Sequence, residues 1–333
     1  MALASRTAQR LDWTCQALQD PSARLEGASA DASFRSYWRC ESGGRTWIVM
    51  DAPPDREDIR PWLDVAARLN AAGLHAPEIA ASDAEQGFVL MSDLGTRLYL
   101  PELDEASVDS LYGDALEAMF VMQTRVDAVG LPAYDEARLV AEMELLPEWF
   151  LKRHLGHTPE CEEWDVIESA FRALEKSARA QPQAFVHRDY HSRNLLITAT
   201  RNPGILDFQD AVVGPVTYDL VSLLRDCYIA WPEHRVYAWV DAYRLRLADA
   251  GIAVGDPAQF RRQFDLMGLQ RHIKVLGIFC RLWYRDGKAG YLNDLPLVWR
   301  YTREVGRRYP ETSELIALIE RVLGERDITR PLA

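Results

Sequence analysis

The segment FVHRDYHSRNLLI, Phe185 to Ile197, gathers His187, Asp189 and Asn194 into one short stretch and closes on an apolar run. It sits between two long regions with helical spacing. Asp207 follows Asp189 by 18 positions, after a Pro203-Gly204 turn and the apolar pair Ile205-Leu206, where a strand end would present it. A carboxylate, an amide and a second carboxylate make a set of hard oxygen donors. Leu195, Leu196 and Ile197 would anchor the segment in a core and so fix Asn194 relative to Asp189.

Upstream, apolar residues recur at helical intervals from Leu3 to Leu18 and stop before Asp20-Pro21. The texture then turns to short aromatic and β-branched runs. ARLEGAS, SFRSYWRCE and RTWIVMD predict three antiparallel strands between about Arg24 and Asp51, the second pair joined at Gly43-Gly44. A helix is expected from about Glu57 to Ala72, closed by Gly73. PEIAAS and GFVLMS predict two more strands around Asp83–Gln86. From there the periodicity is helical: near 105–128, 135–155 and 161–180, then near 217–229, 234–250, 257–283, 294–309 and 312–324. The opening segment and GILDF read as two short strands joined at ATRNPG. The expected fold is therefore α+β and bilobal. Residues 1–95 form a small lobe, an N-terminal helix plus a five-stranded antiparallel sheet with a hinge near 91–95. Residues 96–333 form a large, mostly helical lobe carrying the opening segment.

That layout is protein-kinase-like, and His187-Arg188-Asp189 with Asn194 reproduces the H-R-D-x-x-x-x-N pattern of kinase catalytic loops. Phosphoryl transfer has a loose transition state, so the protein mainly positions reactants and neutralises charge. Asp189 would orient the attacking hydroxyl and accept its proton. Asn194 and Asp207 would hold Mg²⁺ against the phosphates of ATP. His187 is expected to support the loop through a backbone hydrogen bond, and Arg188 to be a surface charge. The third strand of a protein kinase carries a phosphate-binding lysine, but here Met50 stands in its place, and none of the four lysines lies in the small lobe. Arg35 or Arg39 on the preceding strand can supply the missing cation. The stretch from Gly27 to Ser33 reads as the phosphate loop, with Ser29 or Ser33 as donors. Adenine is expected under Ile48, against the hinge residues Met91, Ser92 and Leu94.

These residues resemble the aminoglycoside phosphotransferase/choline-kinase superfamily over nearly the whole chain. Four stretches, VMDAPP, MELLPEWFLKRHLG, FQDAVVGPVTYDLVSLLRD and RHIKVLGIFCRLWYRDGKAGYL, look closest to bacterial anomeric N-acetylmuramate/N-acetylglucosamine kinases of cell-wall recycling. The resemblance implies transfer of the ATP γ-phosphate to the C1 hydroxyl of an amino sugar, the small-molecule partner. Because N-acetylmuramate carries a lactyl carboxylate, its pocket should hold a cation. Arg271 and Lys274, three apart on one helix, are candidates. Trp149 and Trp283 can stack on a sugar ring, Asp219 would brace the catalytic loop, and Asp210 would meet either metal or a sugar hydroxyl. Two other readings stay open: an aminoglycoside or other small-alcohol kinase, and a catalytically dead nucleotide-binding scaffold.

Composition sets the outer limits. The 333 residues carry 38 basic and 50 acidic side chains, a net charge of −12, which argues against a nucleic-acid or anionic-membrane partner. Five scattered cysteines without CxxC spacing fit reduced thiols in the cytoplasm. No apolar run approaches a membrane span, and no Walker P-loop is present.

Overall fold

A computed structural model describes residues 5–30 and 34–332 of the chain. Helix α1 (Arg6–Leu18) starts on Ser5, whose hydroxyl accepts from the Ala8 N–H. Five strands follow: β1 (Glu26–Ala30), β2 (Ser36–Ser42), β3 (Arg45–Asp51), β4 (Ile79–Asp83) and β5 (Phe88–Ser92), with α2 (Arg60–Ala71) inserted after β3. The sheet is antiparallel throughout, in the order β1-β2-β3-β5-β4. Gly43 and Gly44 turn the β2–β3 hairpin with φ of 60° and 72°, left-handed values that suit a two-residue hairpin turn.

Side-chain alternation along β3 gives the strand two jobs. Ile48 and Met50 look to the cavity side of the sheet. Asp51, 3 % exposed, looks the other way and is gripped by Arg6 at 2.7 Å and Arg10 at 2.8 Å, both from α1. The Arg10 guanidinium also lies 3.7 Å from the centre of the Trp38 ring. A buried carboxylate thus pins the N-terminal helix to the sheet.

The remaining helices are α3 (Val108–Arg125), α4 (Glu136–Met143), α5 (Cys161–Arg179), α6 (Tyr218–Leu224), α7 (Glu233–Asp249), α8 (Pro257–Tyr284), α9 (Leu295–Gly306) and α10 (Pro310–Leu323). The single helix expected over 135–155 is broken. After α4 the chain widens into a π-helical segment, Leu146–His154, that begins around Pro147, which has no N–H to continue α4. Helix α8 is the axle of the helical region. Asp256 caps it by accepting from the Gln259 N–H at 2.9 Å, and Pro257 opens its first turn. It is buried around most of its girth and packs on α9, the π-helical segment, α5 and α6.

Two small ladders complete the structure: β6 (Gln183–Val186) with β9 (Val212–Pro215), and β7 (Leu195–Leu196) with β8 (Gly204–Ile205). The opening segment is thus a loop between two strands, β6 and β7, that belong to different ladders, and β9 was not expected from the sequence. The chain forms two compact units. One comprises residues 1–127 and 193–210, the other 128–192 and 211–333. This division differs from the expected cut after residue 95. Helix α3 and the β7–β8 hairpin cluster with the sheet: the Tyr99 N–H bonds the Leu195 carbonyl at 2.9 Å, the Ile197 N–H the Arg97 carbonyl at 2.7 Å, and the Ile205 N–H the His75 carbonyl at 2.8 Å. The boundary falls inside the loop, between Ser192 and Arg193.

Candidate active site

In the helical unit, residues 187–192 are held at every turn. His187 is fully buried, and its Nδ1 accepts the Asp189 N–H at 3.2 Å, the supporting role expected of it. Asp219 braces the loop, accepting the N–H groups of His187 at 2.7 Å and Arg188 at 3.0 Å. Arg188 has a φ of 78°, a left-handed value rare for a side chain of its size. The strain is contained because the Arg188 carbonyl accepts from Arg271 Nη1 at 2.9 Å. Asp226 takes the Ser192 N–H at 3.0 Å.

Arg188 is not the surface charge expected. Its guanidinium pairs with Glu142 of α4. Glu142 also pairs with Lys274 Nζ at 2.9 Å, and Lys274 and Arg271 both donate to the Tyr218 hydroxyl, at 3.2 Å and 3.3 Å. Arg271 and Lys274 are 4 % and 6 % exposed, so they are interior charges. Arg271 Nη1 lies 3.9 Å from Asp189 Oδ1, whose side chain is 37 % exposed. Burial pushes the Asp189 carboxyl up, but Lys274, Arg271, His191 and Arg188 outweigh it and hold it at about 2. Glu142 is likewise driven up by burial and pulled back to about 2 by Lys274 and Arg188. Asp219, more isolated, is raised by burial to about 7 against the pull of its two backbone donors. The result is an ionised, partly exposed carboxylate on a loop tied down by hydrogen bonds.

In the sheet unit, a cavity of about 430 Å³ is lined by Ile48, Met91, Ser92, Leu94, Asn194 and Asp207, bringing together residues singled out separately in the sequence. Arg39 also reaches this cavity, but its guanidinium is committed to Asp93 at 2.6 Å and 3.2 Å. Arg35, 9 % exposed, lies 3.6 Å from Asp207 Oδ1 and lines a neighbouring cavity of about 110 Å³ with Met50, Trp62 and Asp210. Ser33 and the Ser29 side chain lie outside the described residues, and the Ser29 backbone is part of β1 opposite Tyr37.

Asp207 also has a left-handed backbone, φ 61°, which a short polar side chain tolerates. It accepts from Asn194 Nδ2 at 3.3 Å and Gln209 Nε2 at 2.9 Å. Gln209 Oε1 is buried without a hydrogen-bond partner. Among the described residues no group of three or more His, Cys, Asp and Glu side chains is arranged to hold a metal. The carboxylate with its orphaned amide oxygen nevertheless offers hard oxygen donors, which fit a small divalent cation completed by water and phosphate oxygens.

Trp149 and Trp283 pack against the helical core, and Arg153 lies 5.9 Å from the Trp149 ring centre. Sequence reasoning missed Glu142 and Asp226. Glu142 sits among the charged residues of an amphipathic helix and carries no signal of its own. Asp226, in Arg225-Asp226-Cys227, is buried beside an equally buried arginine. Among the described residues no helix is long and apolar enough to cross a membrane.

Comparison with known proteins narrows the chemistry. A family model described as a phosphotransferase enzyme family matches residues 24–258. An N-acetylmuramate/N-acetylglucosamine kinase of Pseudomonas aeruginosa is 48 % identical over 301 residues, 90 % of this chain and 88 % of that protein. One of Neisseria meningitidis serogroup B is 39 % identical over 310 residues, 91 % and 92 % of the two chains. Among solved structures, an ADP-bound aminoglycoside phosphotransferase superposes with a TM-score of 0.60 at 16 % identity, covering 90 % of this chain and 98 % of that one. A choline kinase of Streptococcus pneumoniae gives 0.61 at 12 % identity, covering 90 % and 100 %. The fold is thus the protein-kinase-like α+β fold of aminoglycoside and choline kinases.

Proposed function

The chain belongs to the phosphotransferase enzyme family, and on that premise we propose that it is an ATP-dependent kinase of N-acetylmuramate and N-acetylglucosamine, acting on the anomeric C1 hydroxyl in cell-wall recycling. The observation that carries the substrate assignment is near-full-length identity to kinases named for those two sugars. Likeness to aminoglycoside kinases carries the fold and says nothing of the acceptor.

Each group then has a task. The 430 Å³ cavity takes the nucleotide, with Ile48 and Met91 against the base and the backbone at Ser92 and Leu94 at its edge. Asp207 and Asn194 hold magnesium, which neutralises phosphate charge when bound. Arg35 supplies the small-lobe cation that Met50 does not, since Arg39 is tied to Asp93. Asp189 aligns the C1 hydroxyl and receives its proton as the oxygen bonds to the γ-phosphorus and ADP leaves. A carboxyl held at about 2 is a weak base, which suffices where the transition state asks little of the nucleophile and the anomeric hydroxyl is already more acidic than an ordinary alcohol. We infer a cytoplasmic reaction; five cysteines without a disulfide and the use of ATP support this reading.

The decisive assay sets N-acetylmuramate, N-acetylglucosamine and kanamycin side by side with Mg-ATP, following ADP release and the ³¹P spectrum of the product. Phosphorylation of the two amino sugars at C1 is expected. Turnover of kanamycin alone would move the enzyme to another substrate class, and no turnover with any acceptor would leave only a nucleotide-binding scaffold.

A further inference from the structure

A row of rings leads away from Asp189 along the helical unit. His191 donates its N–H to the Asp189 carbonyl at 3.1 Å, and its imidazole meets Tyr228 edge to face with ring centres 5.5 Å apart. Tyr228 continues to Phe279 of α8 at 6.3 Å, and Phe279 to Tyr291 at 5.2 Å. Phe279 is buried in the helical core, whereas His191, Tyr228 and Tyr291 are each half-buried. The row therefore has an apolar floor and a wet upper edge, beginning two residues from the base.

The row is tied to the base loop by a single carboxylate. Asp226 Oδ2 takes the Ser192 N–H and hydroxyl, while Oδ1 takes the Tyr228 N–H at 3.2 Å. A second carboxylate, Asp294, closes the short 3₁₀ turn Ala289–Asp294 that carries Tyr291. Burial pushes the Cys227 thiol up to about 12, and the charges of Asp226, Asp294 and Asp189 add to that rise. Phe279 belongs to the helical core, and Tyr228 and Tyr291 pack against its rim. Their exposed parts continue a row that starts at His191, two residues from Asp189.

We propose that His191, Tyr228 and Tyr291 form the shelf that binds the pyranose ring of the acceptor, with Asp294 accepting hydrogen bonds from its hydroxyls. A sugar ring presents a C–H face that packs on aromatic carbon and a rim of hydroxyls that carboxylates bind. None of the four shelf residues is a lysine or an arginine, and Arg271 and Lys274 are engaged by Tyr218 and Glu142. The shelf thus reads what the two amino sugars share and ignores the lactyl carboxylate. In this arrangement Arg271 and Lys274 act on the base, whereas the sequence offered them as the cations for the lactyl carboxylate.

This assignment rests on the amino-sugar kinase reading, and steady-state kinetics of the full-length protein separate the two. Tyr291→Leu should raise KM for both sugars about tenfold and by similar factors, with KM for ATP and kcat within about twofold. Tyr291→Phe, which keeps the ring, should restore most of the loss. Asp294→Asn changes one half-buried group and guards against a folding artefact; it should raise both sugar KM values in the same way. Turnover by the wild type with unchanged sugar KM in Tyr291→Leu and Asp294→Asn would overturn the shelf alone, as would a rise confined to N-acetylmuramate. Failure of the wild type to phosphorylate either sugar would overturn the kinase reading and the shelf with it.

Discussion

Asp189 is kept ionised by neighbours several helices away in sequence, and its loop by hydrogen bonds from both directions. Asp189→Asn leaves the loop's backbone bonds intact but removes the proton acceptor. Its kcat should fall by about 10²- to 10⁴-fold with binding of Mg-ATP retained, measured by coupled ADP release and by calorimetry. The carboxylates also set a pH signature. Asp219, raised from 3.8 to about 7, keeps a proton in the fold that the unfolded chain has lost, so its contribution to stability falls as pH rises from about 4 to 7. Asp189 and Glu142 run the other way: their stabilisation is full above their unfolded values and disappears as pH drops toward 2. Urea midpoints of the wild type should therefore decline across about pH 4 to 7, and Asp219→Asn should flatten that decline. An identical slope in the variant would place the titration elsewhere. At this scale the sequence singled out the residues that form a motif, Asp189, Asn194 and Asp207, and it anticipated Asp219 as the brace of the loop. Glu142 gave no signal, and Arg271 and Lys274 stood out only as candidate substrate cations, because ion pairing between α4 and α8 depends on which helix faces meet, and helical charges otherwise look solvent-bound.

The elements themselves were mostly readable from period and punctuation. The five-strand sheet follows from alternation and the Gly43-Gly44 turn, and α8 from its Asp256-Pro257 start. The misses have local causes. Strand β9 is an apolar run of four residues ending in proline, too short to show a period, and the break before the π-helical segment follows from one proline inside an otherwise helical pattern. Gly277 of α8 shows how tightly these elements meet. A Cβ there would lie 2.4 Å from the backbone of Leu145, immediately before the π-helical segment. Backbone cannot yield as a flexible side chain can. Gly277→Ala should therefore destabilise the protein by about 1–3 kcal/mol despite alanine's better helix propensity, as read from urea unfolding. A stabilised variant would mean that α8 and the π-helical segment can part without cost.

For the whole chain, composition and the order of elements pointed to a sheet-bearing part and a helical part, but not to how the chain is shared between them. A cut after residue 95 is natural in sequence, because strand periodicity ends there. The compact units ignore it, since contacts and not periodicity decide membership: residues 193–210 leave the helical unit and bond to His75 and to residues 97–99. The catalytic motif is thus divided, with Asp189 in one unit and Asn194 and Asp207 in the other. A fragment of residues 96–333 tests this. It contains every residue of the helical unit but loses the sheet and the His75 carbonyl that holds Ile205. In hydrogen exchange followed by mass spectrometry, α5 and α8 should keep slow exchange in the fragment, while 193–210, protected in the full chain, should exchange about as fast as an open loop. Protection of 193–210 in the fragment would return the hairpin to the helical unit and restore the boundary near residue 95.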